Sequence, residues 1–109
     1  MIYISLKDFA VTPKLIKTLT FLVGIDFVVI GLLKEGFIPY EDRLFVLQSL
    51  IICDPVDVDI FPQDSPDPTE NLIKYKCNAM ATHDKWDEIE EKAIEKLGLT
   101  KVDVKFKLK

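Results

Sequence analysis

The sequence predicts one small α/β domain, a sandwich of about four strands with two to four helices. Short runs rich in β-branched residues alternate along the chain with longer runs whose apolar residues recur every three or four positions. The 109 residues, 49% hydrophobic and 29% charged, suffice for one compact core and leave little room for a second. We therefore expect residues 1–109 to form a single domain.

The first half of the chain predicts two strands and two helices. The opening segment MIYISL has the alternation of a strand. Thr12 and Pro13 are typical of the N-cap and first position of a helix, which should end at Gly24. The apolar run from Ile25 to Leu33 predicts a central strand covered on both faces. The segment YEDRLFVLQSLI predicts a second helix that packs one face on the sheet.

The second half predicts two more strands and two helical segments. VDVDIF predicts a strand, and PQDSPDPTE predicts a long loop because of its prolines. Residues 70–81 show a weak helical pattern. Residues 84–98 show a strong helical pattern that ends at Gly98. Its apolar residues form a stripe that we interpret as part of the core: Trp86, Ile89, Ala93 and Leu97. The closing segment KVDVKFKLK predicts an edge strand with outward lysines.

Charge and hydropathy limit the classes of partner. The net charge is −4, whereas binding to phosphates needs clustered Lys and Arg, so we do not expect a nucleic-acid partner. The lysine-rich C-terminal strand leaves nucleic-acid binding as an alternative. The most apolar run, Leu19 to Leu33, is too short to span a bilayer and contains Asp26. The N-terminus lacks the pattern of a secretory signal. These features predict a cytoplasmic protein that does not enter a membrane.

Several common sites lack their motifs. The single histidine, His83, has no nucleophile motif around it, and no glycine-rich phosphate or dinucleotide motif is present. Cys53 and Cys77 lack the spacing of a zinc site. Lys and Glu are abundant while Asn and Gln are scarce, a composition typical of hyperthermophile proteins, in which a Cys53–Cys77 disulfide is an alternative to free thiols.

The remaining candidates for chemistry are three carboxylates. Asp57 and Asp59 alternate with valine and isoleucine, so in a strand they share one face, about 7 Å apart. Asp26 begins the neighbouring apolar strand. Three carboxylates from adjacent strands would suit Mg²⁺, which prefers oxygen ligands. The alternative is that Asp57 and Asp59 lie on the solvated face of an ordinary strand and Asp26 caps a turn.

The run VGIDFVVIGLLKEGFIPYEDRLFVLQSLIICDPVDVDIFPQ, about 40 residues of 109, resembles the small archaeal nucleotidyltransferase-like proteins, the minimal nucleotidyltransferase group. The resemblance places Asp26 on a family metal ligand and Gly24 where that family has an aspartate. It implies that Glu41, Arg43 and Leu44 match the start of the family's helix. It also implies that Asp57 or Asp59 supplies the third carboxylate. The family's Gly-Ser phosphate loop is missing, and Ser5 lies at the wrong distance to replace it.

These departures imply a degenerate, non-catalytic interaction module that binds a protein partner or forms a homo-oligomer without a cofactor. The first alternative is a metal-dependent phosphotransferase or nuclease that uses Mg²⁺ at Asp26, Asp57 and Asp59. The second alternative is a structural protein with no small-molecule site. The sequence leaves open whether the chain is an enzyme.

Overall fold

The structure, a computed structural model, describes residues 1–7, 12–51, 58–82 and 85–103. In those ranges strands and helices alternate, which confirms the predicted α/β class. The elements are β1 (Ile2–Leu6), α1 (Pro13–Val23), β2 (Val28–Leu33), α2 (Tyr40–Ile51), β3 (Val58–Gln63), α3 (Thr69–Lys74), β4 (Ala79–Ala81), α4 (Glu88–Leu97) and β5 (Thr100–Lys101).

All strand pairs in the described ranges are parallel, in the order β3-β2-β1-β4-β5. β1 is therefore the middle strand, and β3 and β5 lie at the edges. The chain first moves outward from β1 to β2 and β3, and then returns to β4 on the other side of β1. This reversal places a topological switch point between β1 and β4.

Helices cover both faces of the sheet, because right-handed crossovers in opposite directions emerge on opposite faces. On one face, Leu15, Leu19 and Leu22 of α1 and Leu47 of α2 pack on alternate residues of the central strands. On the other face, Leu72 of α3 packs together with α4. The sheet residues buried on this face include Tyr3, Val29 and Met80, and α4 contributes Ala93 and Ile94.

Local signals explain several element boundaries. The Thr12 hydroxyl accepts a hydrogen bond from the Leu15 N–H, and Pro13 occupies the first turn of α1. Pro62 is tolerated within β3 because an edge strand has one side without ladder partners. Gly98 ends α4 in the left-handed conformation, at φ 65°.

Two predictions are corrected. Residues 70–81 are not one helix: α3 ends at Lys74, Lys76 has a positive φ of 55°, and β4 follows at Ala79. Residues 85–87 precede α4 rather than belonging to it, so Trp86 is not a helical residue. Within the predicted stripe Ile89 is exposed, whereas Glu90, Ala93 and Ile94 are buried. The edge position of the last strand is confirmed for Thr100–Lys101, and residues 104–109 lie outside the described ranges.

Candidate functional site

The structure places Asp26 at the amino end of the sheet, just before β2. Its Oδ2 lies 3.1 Å from the α-amino nitrogen of Met1, and its Oδ1 accepts a 2.7 Å hydrogen bond from the Phe27 N–H. The Phe27 N–H and then the Met1 ammonium hold the pKa of Asp26 below its usual value. Asp26 is therefore engaged in local contacts at the edge opposite to the one where parallel α/β sheets bind ligands.

The other two predicted metal ligands give no cluster within the described ranges. Asp59 is exposed on β3, in register with Val29 of β2, and Asp57 lies outside the described residues. No group of three or more His, Cys, Asp or Glu side chains in the described part of the chain is arranged to hold a metal ion. The Mg²⁺ site thus stays a prediction that depends on Asp57.

Only one of the two cysteines of the predicted disulfide, Cys77, lies within the described residues. Cys77 is buried beside α3 and forms no disulfide with another described residue, and Cys53 lies outside the described ranges. Burial raises the pKa of the Cys77 thiol, which keeps it in the unreactive protonated form.

At the switch point, an ion pair joins Lys7, just after β1, to the N-cap of α4. The Lys7 ammonium pairs with Asp87 Oδ2, while Asp87 Oδ1 accepts a 2.7 Å hydrogen bond from the Glu90 N–H as the N-cap of α4. Partial burial opposes ionisation of Asp87, but the hydrogen bonds from Lys7 and Glu90 outweigh it, so the pKa of Asp87 is lowered. Glu90 closes the capping box, and burial raises its pKa. Each of these groups already has a partner.

A buried polar network that the sequence did not reveal lies on the α3 and α4 face. Gln63 Oε1 accepts hydrogen bonds from Tyr3 Oη at 2.7 Å and from Ser5 Oγ at 3.0 Å. Asn71 Nδ2 donates to Tyr3 Oη and to the Pro62 carbonyl, each at 3.0 Å. Ser5 is thus a buried structural residue. Because these side chains hydrogen-bond to one another, the network links strands of the sheet rather than offering a free binding site.

Arg43, part of the resemblance to a family helix start, anchors the loop between β2 and α2. Its side chain is 3% exposed; Nε donates to the Ile38 carbonyl at 2.9 Å and Nη2 to the Lys34 carbonyl at 2.8 Å. Gly36 lies against the guanidinium so closely that an added Cβ would be 3.2 Å from Cζ. The loop is therefore fixed from both of its ends by one side chain.

This anchored loop and the outer face of α2 expose apolar side chains. Phe37 is fully exposed and Phe45 is 70% exposed, and Ile38 and Val46 are also exposed. We call Phe37, Ile38, Phe45 and Val46 the α2 surface. The four residues fall within ten positions of the chain. The other large apolar residues exposed in the described ranges occur singly: Met1, Ile16, Ile25, Ile73 and Ile89. The α2 surface therefore concentrates exposed apolar residues in one stretch of the chain, and exposed apolar residues that form a contiguous patch mark interaction sites, whereas single ones are ordinary.

No helix in the described residues is long and apolar enough to cross a membrane. Neither a protein-family model nor a curated protein sequence matches this chain.

Proposed function

We propose that this chain is a protein-binding module whose docking site is the α2 surface. The observation that carries the proposal is the pair of exposed aromatic rings, Phe37 on the anchored loop and Phe45 on the helix. Burying a phenylalanine side chain is worth about 1.5–3 kcal/mol, so these rings can contribute strongly to binding a partner and contribute little to the isolated fold. Aromatic anchors are typical of interface hot spots.

The support for Phe37 gives the surface a defined shape. Arg43 ties both ends of the loop to α2, and α2 itself packs on the sheet through Leu47. Phe37 and Ile38 therefore project from a loop with fixed ends and not from a free segment. A preorganised surface loses less conformational entropy on binding, which favours recognition.

The interaction role agrees with what the nucleotidyltransferase resemblance implies, and membership of that family remains a proposal. The docking role does not depend on it. The surface needs neither a metal ion nor the carboxylates Asp26, Asp57 and Asp59.

The proposal is tested by selecting peptides from a displayed random library on the full chain. We expect enriched peptides to bind with a Kd of about 10 µM or tighter, the range of short-segment recognition. Phe37→Ser and Phe45→Ser should each weaken that binding at least about fivefold, the loss expected for removing an aromatic anchor.

Ile73→Ser is the matched control, because Ile73 is 60% exposed on α3 over the opposite face of the sheet. Its binding should equal that of the unchanged chain. If the selected peptides bind the Phe37→Ser and Phe45→Ser variants as tightly as the unchanged chain, the α2 surface is rejected as the docking site. A library that yields no binder would also reject it.

A further inference from the structure

Three acidic residues lie in the same stretch of the chain as the α2 surface. Glu35 in the loop and Glu41 and Asp42 in the first turn of α2 are exposed, and none of them forms an ion pair with another described residue. The neighbouring cations do not offset them. Lys34 Nζ is paired with Asp64 Oδ1 at 2.8 Å, and the Arg43 guanidinium is buried.

We infer that the partner presents a cationic segment, with Lys or Arg side chains next to its apolar anchors. This inference rests on the proposed docking function. Complementary charge around an apolar centre guides encounter and selects among partners that have similar apolar residues. Glu35 strengthens the inference, because it lies outside the helix and so does not serve the helix dipole, unlike acidic residues of a first turn.

The charge distribution argues against a second copy of this chain as the occupant. In a two-fold interface the same surface meets itself, so Glu41 and Asp42 of both copies would be brought into one interface. Like charges brought together in this way oppose association. The net charge of −4 for the whole chain adds to that repulsion.

The test uses two synthetic peptides of equal length with the same Leu and Phe positions, one bearing Lys and the other Glu at all remaining positions. We expect the Lys peptide to bind at least about tenfold more tightly at low ionic strength, and the difference to shrink as salt screens the charges. The double variant Glu41→Lys with Asp42→Lys should reverse the preference.

Glu88→Lys is the matched control, since Glu88 is an exposed acidic residue in the first turn of α4, on the opposite face of the sheet. Like the double variant, it reverses an acidic charge in the first turn of a helix, and it should keep the preference for the Lys peptide. Circular dichroism of each variant establishes that it is folded before binding is compared.

The outcomes separate the two ideas. If both peptides bind equally and Phe45→Ser abolishes both, the docking function stands and the cationic partner is rejected. If Phe45→Ser leaves binding of the Lys peptide unchanged, the docking function itself fails. Dimerisation in sedimentation velocity that is lost in Phe45→Ser would also overturn the inference, because it would assign the surface to a second copy.

Discussion

Tyr3 of β1 and Gln63 of β3 are joined by a 2.7 Å hydrogen bond that passes across the intervening strand β2. The tyrosine side chain lies over Gly31 of β2, the residue in register with Ser5 and Phe61. A side chain at position 31 would occupy the space of the Tyr3 hydroxyl. Glycine is therefore required there to let β1 and β3, the strands on either side of β2, share a hydrogen bond.

Gly31→Ala is expected to destabilise the protein by at least about 3 kcal/mol, since overpacking displaces Tyr3 and breaks the network. Urea unfolding monitored by circular dichroism measures the loss. Gly24→Ala is the matched control: its added Cβ would lie 3.4 Å from the nearest backbone oxygen, so its stability should change by no more than about 0.5 kcal/mol. Equal stability of the two variants would contradict the close approach at Gly31.

Tyr3→Phe removes the hydroxyl that joins Gln63 and Asn71, and we expect it to cost about 1–2 kcal/mol at neutral pH. It should also change the response to alkali. Burial raises the pKa of Tyr3 above its ordinary value, so the unfolded chain releases this proton first. The protonated Tyr3 hydroxyl therefore contributes its full stabilisation of the fold below about pH 10, the pKa of an ordinary tyrosine. This contribution is lost as the pH rises toward the higher pKa that Tyr3 has in the folded protein.

The free energy of unfolding of the original chain should therefore decrease more steeply above about pH 10 than that of Tyr3→Phe. Urea titrations of both proteins across this range measure the difference. Parallel pH profiles would mean that the Tyr3 hydroxyl is open to solvent and titrates normally in the folded protein.

The sequence predicted the local parts of this fold and missed the long-range ones. The bounds of α1 and α2 follow from local signals such as the Thr12 cap, and these bounds are confirmed. β4 has only three residues, Ala79–Ala81, too few to show an alternation, so it merged with the helical pattern before it. The Tyr3–Gln63 contact joins residues 60 positions apart and depends on strand order, which no local pattern contains.

The exposure that supports the proposed docking site was equally hidden in the sequence. Phe45 stands among Leu44, Val46 and Leu47, and a run of four apolar residues does not say which of them face the sheet. In the sequence, Arg43 was singled out only by a family resemblance. Its role in anchoring the loop depends on its hydrogen bonds to two backbone carbonyls, which the sequence does not show. Such contacts leave no trace in residue spacing.

Asp87→Ala should destabilise the protein by about 1–2 kcal/mol, because it removes both the N-cap of α4 and the partner of Lys7. Asp87→Ser keeps a capping oxygen and should recover most of that loss. Thermal unfolding of both variants separates the cap from the ion pair. If Asp87→Ser is as unstable as Asp87→Ala, the Lys7 pairing and not the cap is the main contribution.

Phe45→Ser should leave the free energy of unfolding within about 0.5 kcal/mol of the original, because the ring is largely exposed and makes no contribution to the core. Leu47→Ala, two residues along the same helix and fully buried, should cost about 2–5 kcal/mol. Chemical denaturation compares the two. A large loss from Phe45→Ser would show that the ring packs within the fold and is not available to a partner.

We propose that a partner docks on the α2 surface, and NMR mapping with the Lys-bearing peptide tests this docking most directly. Amide chemical shifts of the ¹⁵N-labelled full chain are followed as peptide is added. We predict that the largest changes fall on residues 35–38 and 41–46. Changes centred instead on Lys7 and residues 85–90, at the switch point between β1 and β4, would contradict the docking site and place ligand binding at the carboxyl edge of the sheet.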